Sequence, residues 1–194
     1  MPSATGFALF ATALGECAVA WNELGLTGVW LPDASAARLR SRLLRRQPHL
    51  SQAKPPSGVA TAIEVMARLL GGERMDLLDI RLDQSRLAPF DRSVYAAARA
   101  IPPGRVVTYA ALAAKVGGAT SARAVGQSLG RNPFPIVVPC HRIVAANGEL
   151  GGFSAPGGAA TKRRLLTIEN ARLGDSADLF DASEASVTQR MPSP

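Results

Sequence analysis

The chain has 194 residues, is 47% hydrophobic, and lacks any run near the roughly 18 apolar residues of a membrane span, so one globular domain or two small ones are expected. Its two cysteines and two histidines (Cys17, Cys140, His49, His141) are too few for a disulfide framework or an obvious four-ligand zinc site. A net charge of +7 points toward a polyanionic partner and away from acidic-protein classes.

The start, Met1-Pro2-Ser3-Ala4-Thr5, has no basic segment followed by an apolar one, and with so little cysteine a reducing, cytoplasmic setting is expected. Phe7 to Ala13, Cys17 to Trp21 and Thr27 to Leu31 read as three strands. Turn signals at Gly15-Glu16 and Asn22-Glu23-Leu24-Gly25 separate them. A helix starts near Ser35, with Leu39, Leu43 and Leu44 as its apolar stripe and Arg38, Arg42, Arg45 and Arg46 as a solvated face. After a loop at 53–58, a second helix runs through Ile63, Met66, Ala67 and Leu70 to Gly71-Gly72. Leu78-Asp79-Ile80-Arg81-Leu82 alternates as a strand. Cys17, mid-strand among apolar residues, is expected in the core.

A boundary near Ser85 to Pro89 opens the basic half. Residues 86–174 carry twelve Lys+Arg against three Asp+Glu, whereas 1–85 are nearly balanced and 175–194 are acidic. This concentration of positive charge is the electrostatic footprint expected of a polyanion binder such as a nucleic-acid-binding protein, with an arginine-rich composition of solvated faces as the alternative. Ser93 to Ala100 reads as a helix, Thr108 as the N-cap of a helix from Tyr109 to Val116, and Thr120 as the cap of another through Leu129. The tight Gly117-Gly118 turn between the last two gives a helix-turn-helix pattern, which any αα-hairpin can share. Gly126, inside the second of these helices, costs about 1 kcal/mol relative to Ala and suggests close approach by another surface.

Ile136-Val137-Val138 reads as a short buried strand ending on Pro139, followed at once by Cys140-His141-Arg142. A thiolate is the nucleophilic form of cysteine, and a nearby histidine or cation raises its population. Residues 148–158, with five glycines, read as an irregular loop able to bring backbone N–H groups to a ligand. The last helix is expected from Ala159 to Leu173, with Glu169 beside the stripe of Leu165 and Ile168. A carboxylate there needs a partner, His141 or an arginine, unless it reaches water at the stripe's edge. The final twenty residues read as a disordered tail.

Together, Ile101-Pro102-Pro103-Gly104, Thr108-Tyr109, Ala122-Arg123-Ala124-Val125-Gly126, Asn132-Pro133, Pro139-Cys140-His141-Arg142 and Leu165-Leu166-Thr167-Ile168-Glu169 resemble the O6-alkylguanine-DNA alkyltransferase family over residues 5–174. The resemblance implies an α/β N-terminal domain (1–85, a small antiparallel sheet with helices, ribonuclease H-like) and a mainly α C-terminal domain (86–174) with a winged-helix-like helix-turn-helix. Residues 175–194 would follow as the acidic tail. It implies single-turnover transfer of an alkyl group from O6-alkylguanine, with O4-alkylthymine as an alternative substrate, onto Cys140. His141 would activate the thiol through a water, with Glu169 fixing the imidazole and Asn132 bracing the turn. Helix 122–130 would lie in the minor groove, with Arg123 filling the gap left by the flipped base. Thr108, Tyr109, Ala122, Ala124, Gly126, Gln127 and Arg142 would face DNA. Tyr109 would also serve guanine N3, and Ile143, Phe153 and Ser154 would complete the pocket. No cofactor or metal is implied. The partner is double-stranded DNA, not a membrane, and the protein is expected to be a monomer, with cooperative binding on DNA as an option.

Phe90-Asp91 and Tyr95 depart from the family's usual Phe-Gln and Trp, at positions expected to matter for packing. The pocket loop, Gly152 to Gly158, carries an aromatic without a hydroxyl and two extra residues. Three other readings compete. A non-catalytic lesion binder resembling the alkyltransferase-like proteins would lack the thiol that Cys140 supplies. A helix-turn-helix regulator would prefer one duplex sequence, and a cysteine hydrolase has no use for the basic half.

Overall fold

The computed structural model describes residues 4–117, 119–146 and 148–171. The expected tail lies outside the described residues, as do residues 172–173 of the last expected helix, which already ends at Ile168. Strands β1 (Gly6–Thr12), β2 (Gly15–Asn22) and β3 (Gly25–Trp30) form an antiparallel sheet in that order. Its turns are built by side chains that bond their own backbone. The Thr12 hydroxyl donates to Gly15 O at 2.6 Å, and Asn22 Oδ1 accepts from the Leu24 and Gly25 N–H groups.

Strand alternation sorts the apolar residues onto two faces. Phe7, Ala18, Ala20 and Trp30 pack under α1 (Ala36–Arg46) through Leu39 and Leu43. Phe10, Cys17, Val19 and Trp21 pack on the other face with Val59, Ala62 and Met66 of α2 (Ser57–Leu70). Cys17 is fully buried as expected, and burial pushes its thiol up to about 11. The face of α1 is not wholly solvated. Arg42 turns inward, bonds Leu31 O at 2.5 Å and pairs with Asp33 at 3.2 Å.

The expected strand at Leu78–Leu82 does not form. Its far end makes one bridge, Leu82 to Leu26, while residues 78–79 turn and leave Leu78 exposed. The reason is local and long-range at once: the Asp76 carboxylate accepts from Leu78 N, and the Arg99 guanidinium gathers the carbonyls of Leu77, Leu78 and Ile80.

The second half is mainly helical. Helix α3 (Pro89–Arg99) begins earlier than the expected Ser93, with Pro89 at its first position and Asp91 in its first turn. Helix α4 (Tyr109–Val116) is capped by Thr108 as expected. The cap of α5 (Ala122–Gly130) is Ser121, because the Thr120 hydroxyl is spent on Gly117 O. Short strands β4 (Val107–Thr108) and β5 (Ile143–Val144) pair in parallel, setting the start of α4 beside the chain that follows Cys140. Helix α6 (Gly158–Ile168) closes the unit. One buried cluster runs from Cys17 and Met66 through Val94, Leu112 and Val125 to Val138 and Leu165.

Candidate active site

The stretch before the cysteine is a turn, not the expected strand. Asn132 clasps it from both sides: its Oδ1 accepts from Phe134 N at 2.8 Å, and its Nδ2 donates to Val138 O at 2.9 Å. Val138 N closes back on Phe134 O at 2.8 Å. Ile136 is thereby held at a φ of 76°, a conformation that costs a β-branched residue about 1–3 kcal/mol and persists only where its surroundings over-determine it. The apolar run is buried as expected, but by a knot in the chain. From the other half of the molecule, Val29 N on the outer edge of β3 donates to Pro133 O at 2.8 Å.

Cys140, His141 and Arg142 form one 3-10 turn. With about three residues per turn their side chains fan apart. Cys140 is half-buried, while His141 and Arg142 are 1% and 4% exposed.

Glu169 sits at the C-cap of α6, one residue past the helix. Both expected kinds of partner reach it: His141 Nε2 lies 2.9 Å from Oε1, and Arg142 donates from Nε to Oε2 at 2.9 Å and from Nη2 to Oε1 at 2.7 Å. The remaining arm of Arg142 donates to Ile101 O at 2.5 Å. Burial alone would raise the Glu169 pKa, but these two partners outweigh it and hold the carboxyl down at about 2. Burial lowers the pKa of His141 against the pull of Glu169, so the imidazole is neutral at rest. With Nε2 donating to the carboxylate, Nδ1 is left as the acceptor; it is buried and has no hydrogen-bond partner among the described residues.

The Cys140 thiol is pushed up by burial. Opposing that are the Asn132 side chain, the Lys162 charge and the backbone N–H groups of Cys140 and His141. It opens on a cleft of about 450 Å³ whose walls are Tyr109, Gly126, Leu129, Gly130, Gly152, Phe153 and Ser154. Tyr109, Phe153 and Ser154 therefore meet at the thiol, where the sequence put them, and Gly126, expected only against DNA, joins them. Ile143 does not line this cleft; its side chain is buried in β5 and its carbonyl accepts from Lys162.

Arg123, Gln127 and Ala122 are exposed on α5, with Ala124 partly so and Thr108 at the adjoining end of α4. Arg142 is not on that surface: its guanidinium is consumed inside, which corrects its expected place against DNA. Tyr95 and Asp91 do more than pack. The Tyr95 hydroxyl donates to Ser128 O at 3.0 Å, and Asp91 accepts from Ser128 Oγ at 2.6 Å and from Arg131 at 3.1 Å, so α3 anchors α5 by polar contacts.

Sequence reasoning missed Lys162, which is 0% exposed. The signal was there: Lys162 shares the i, i+3, i+4 stripe with Leu165 and Leu166, an odd place for an ammonium. Among the described residues no group of three or more His, Cys, Asp or Glu could hold a metal, and no helix is long and apolar enough to cross a membrane.

Residues 89–171 match the family described as 6-O-methylguanine DNA methyltransferase, DNA binding domain. A methylated-DNA–protein-cysteine methyltransferase of Mycolicibacterium paratuberculosis is 40% identical over 126 residues, 65% of this chain and 74% of that one. A DNA base-flipping protein of Thermus thermophilus is 37% identical over 154 residues, covering 78% of this chain and 99% of that one. Among solved structures, the Mycobacterium tuberculosis OGT in complex with DNA superposes with a TM-score of 0.66 at 28% identity, over 85% of this chain and 92% of that one.

Proposed function

The chain belongs to the O6-alkylguanine-DNA alkyltransferase family, the methylated-DNA–protein-cysteine methyltransferases, and from that premise we propose that it repairs duplex DNA by direct reversal, taking the alkyl group of O6-alkylguanine onto Cys140. One observation carries the reading: a half-buried thiol opens on a cleft while, one residue on, a buried imidazole is fixed by a carboxylate at 2.9 Å. A protein that only bound the lesion would need the cleft but neither the nucleophile nor the proton acceptor.

The chemistry follows from those atoms. The target guanine leaves the stack and enters the cleft. The Cys140 proton passes to His141 Nδ1, through a water, and the imidazolium is stabilised by Glu169. Sγ attacks the alkyl carbon in line with the departing oxygen, an S–C bond forms, and the C–O6 bond breaks. Tyr109, on the cleft wall, offers its hydroxyl proton to guanine N3 so that the base leaves neutral. The thioether has no leaving group, so each molecule acts once.

The DNA surface is α5 with the start of α4, read as a helix-turn-helix laid in the minor groove. The exposed Arg123 and Gln127, the small Ala122, Ala124 and Gly126, and the basic excess of residues 86–174 support that reading. The antiparallel sheet with its helices over residues 1–85 is the ribonuclease H-like N-terminal domain, and 86–174 the winged-helix-like domain that carries the site. A monomer acting on chromosomal DNA in the reducing cytoplasm suits a free catalytic thiol.

The test is incubation with excess O6-methylguanine duplex, followed by intact mass and peptide mapping. One methyl group per molecule on Cys140, none on Cys17, and no further turnover are expected. Sustained turnover, or a methyl group on Cys17, would overturn the reading.

A further inference from the structure

Cys140 stands between two openings. On one side is the cleft of about 450 Å³ described above; on the other is a crevice of about 150 Å³ between the last turn of α1, the end of β3 and the turn held by Asn132. The two share Gly130, Cys140, Phe153 and Ser154, so the crevice flanks the thiol where the cleft ends. A cavity of that size takes a benzene-sized guest, far more than a methyl group uses.

The charged groups of the crevice are all of one sign. Arg42 and Arg46 of α1 and Arg131 at the C-cap of α5 line it, and among the described residues no acidic one does. Carboxylates answer two of the three from outside its walls: Asp33 lies 3.2 Å from Arg42 Nε, and Asp91 accepts from Arg131 at 3.1 Å. Arg46 is exposed and has no hydrogen bond or ion pair among the described residues. Guanidinium groups add nothing to the binding of an apolar guest, and like charges drawn together favour an anion between them. Arginine suits a carboxylate in particular, because its planar fork matches the two oxygens.

On the footing of the alkyl-transfer activity argued above, we propose that this crevice is a subsite for alkyl groups that carry a carboxylate, with Arg46 and Arg131 as its specificity-determining residues. O6-carboxymethylguanine is then favoured over a lesion whose alkyl group has the same size and no charge. The placement of the thiol picks out the alkyl group among the anionic parts of the substrate. The reacting carbon has to come to Sγ, so a group that enters the crevice from that point is one that hangs on that carbon. In the step itself the S–C bond forms as the C–O6 bond breaks, and the thiol proton passes to His141 as before. The carboxylate keeps its charge throughout and ends on the thioether, against the arginines.

The test uses the full chain, wild type and with Arg46→Gln, Arg46→Glu or Arg131→Gln, on one duplex carrying O6-methylguanine, O6-carboxymethylguanine or O6-carbamoylmethylguanine. The carbamoylmethyl group matches the carboxymethyl group in size and lacks its charge, so the ratio of the two transfer rates reads the subsite alone. Arg46→Gln is expected to lower that ratio about tenfold, and Arg46→Glu further, while methyl and carbamoylmethyl transfer stay within about twofold. Those two retained rates also establish that the variants are folded. In the wild type the same ratio is expected to fall as salt is raised, because Arg46 and Arg131 are exposed and their charge is screened. A ratio unchanged by all three substitutions overturns the proposal. So does an equal loss on all three lesions, which would put these arginines against the DNA backbone, and so does a wild-type ratio that ignores salt. Wild-type protein that transfers no methyl group at all would instead overturn the assigned activity.

Discussion

Arg142 and Glu169 meet as a two-pronged pair, Nε to Oε2 at 2.9 Å and Nη2 to Oε1 at 2.7 Å, with Oε1 also bonded to His141. The carboxylate's charge is therefore already balanced before catalysis. That explains how a glutamate can orient the imidazole without turning it into an imidazolium at rest, as the proposed relay from the thiol requires.

A consequence is that Arg142 is expected to behave as a structural and orienting residue with no share in DNA contact. Arg142→Met leaves Glu169 buried with one partner, and breaking such a pair costs about 3–5 kcal/mol. Denaturant unfolding should report that loss. The slope of duplex affinity against salt, taken on folded protein, should stay at its wild-type value because the side chain is 4% exposed. A slope lower by about one counter-ion would put Arg142 at the DNA after all.

Arg123 and Tyr109 are expected to separate base extrusion from chemistry. Extrusion costs a few kcal/mol in duplex DNA and nothing for a free base. Arg123→Ala should thus slow repair of duplex O6-methylguanine about tenfold or more while leaving transfer from O6-benzylguanine within about twofold. Tyr109→Ala should also lose more on duplex, but with a real loss on the free base, because Tyr109 walls the cleft that holds Cys140. Equal losses on both substrates for Arg123→Ala would assign it to the fold.

Much of this arrangement was legible from local pattern. The three strands, the helix start near Ser35, the Thr108 cap and the burial of Cys17 rest on alternation and capping within a few residues. The failures share one cause, side chains that bond the backbone and override its local pattern, some from nearby in sequence and some from far away. Leu78-Asp79-Ile80-Arg81-Leu82 alternates like a strand, but Arg99 collects its carbonyls into a turn. Ile136 to Val138 is apolar and buried, and only the clasp of Asn132 makes it a turn. Arg142 beside Cys140 and His141 reads as a surface cation until Glu169 and Ile101 O, 27 and 41 residues away, draw it inside. The Cys140-His141 pair was legible because its two residues are neighbours in sequence, while Lys162 meets Ile143 O and the Tyr109 ring only through the tertiary fold.

Acid should unfold the protein partly through Glu169. Its pKa falls from an ordinary 4.5 to about 2 in the folded state, so the stability it supplies is complete above about pH 4.5 and is lost as pH falls toward 2. Stability measured by denaturant from pH 7 down should therefore decline across that window. Glu169→Gln, which cannot titrate, should start less stable at pH 7 and decline less steeply there. An identical acid limb in both proteins would place the depressed pKa elsewhere.

Gly126 offers a case where stability and function should part. It lies in the interior of α5, where glycine costs about 1 kcal/mol relative to alanine. Packing does not demand it: an added Cβ would meet the Tyr109 ring at 3.8 Å, an ordinary contact. Yet Gly126 lines the cleft on the face of α5 assigned to the minor groove, where a methyl group would stand between backbone and nucleic acid. Gly126→Ala is thus expected to raise Tm by about 2–4 °C, leave transfer from O6-benzylguanine within about threefold, and slow duplex repair at least tenfold. A drop in Tm would mean that the glycine serves the packing of α5 against α4. A faster or unchanged duplex reaction would move the DNA away from this face of the helix.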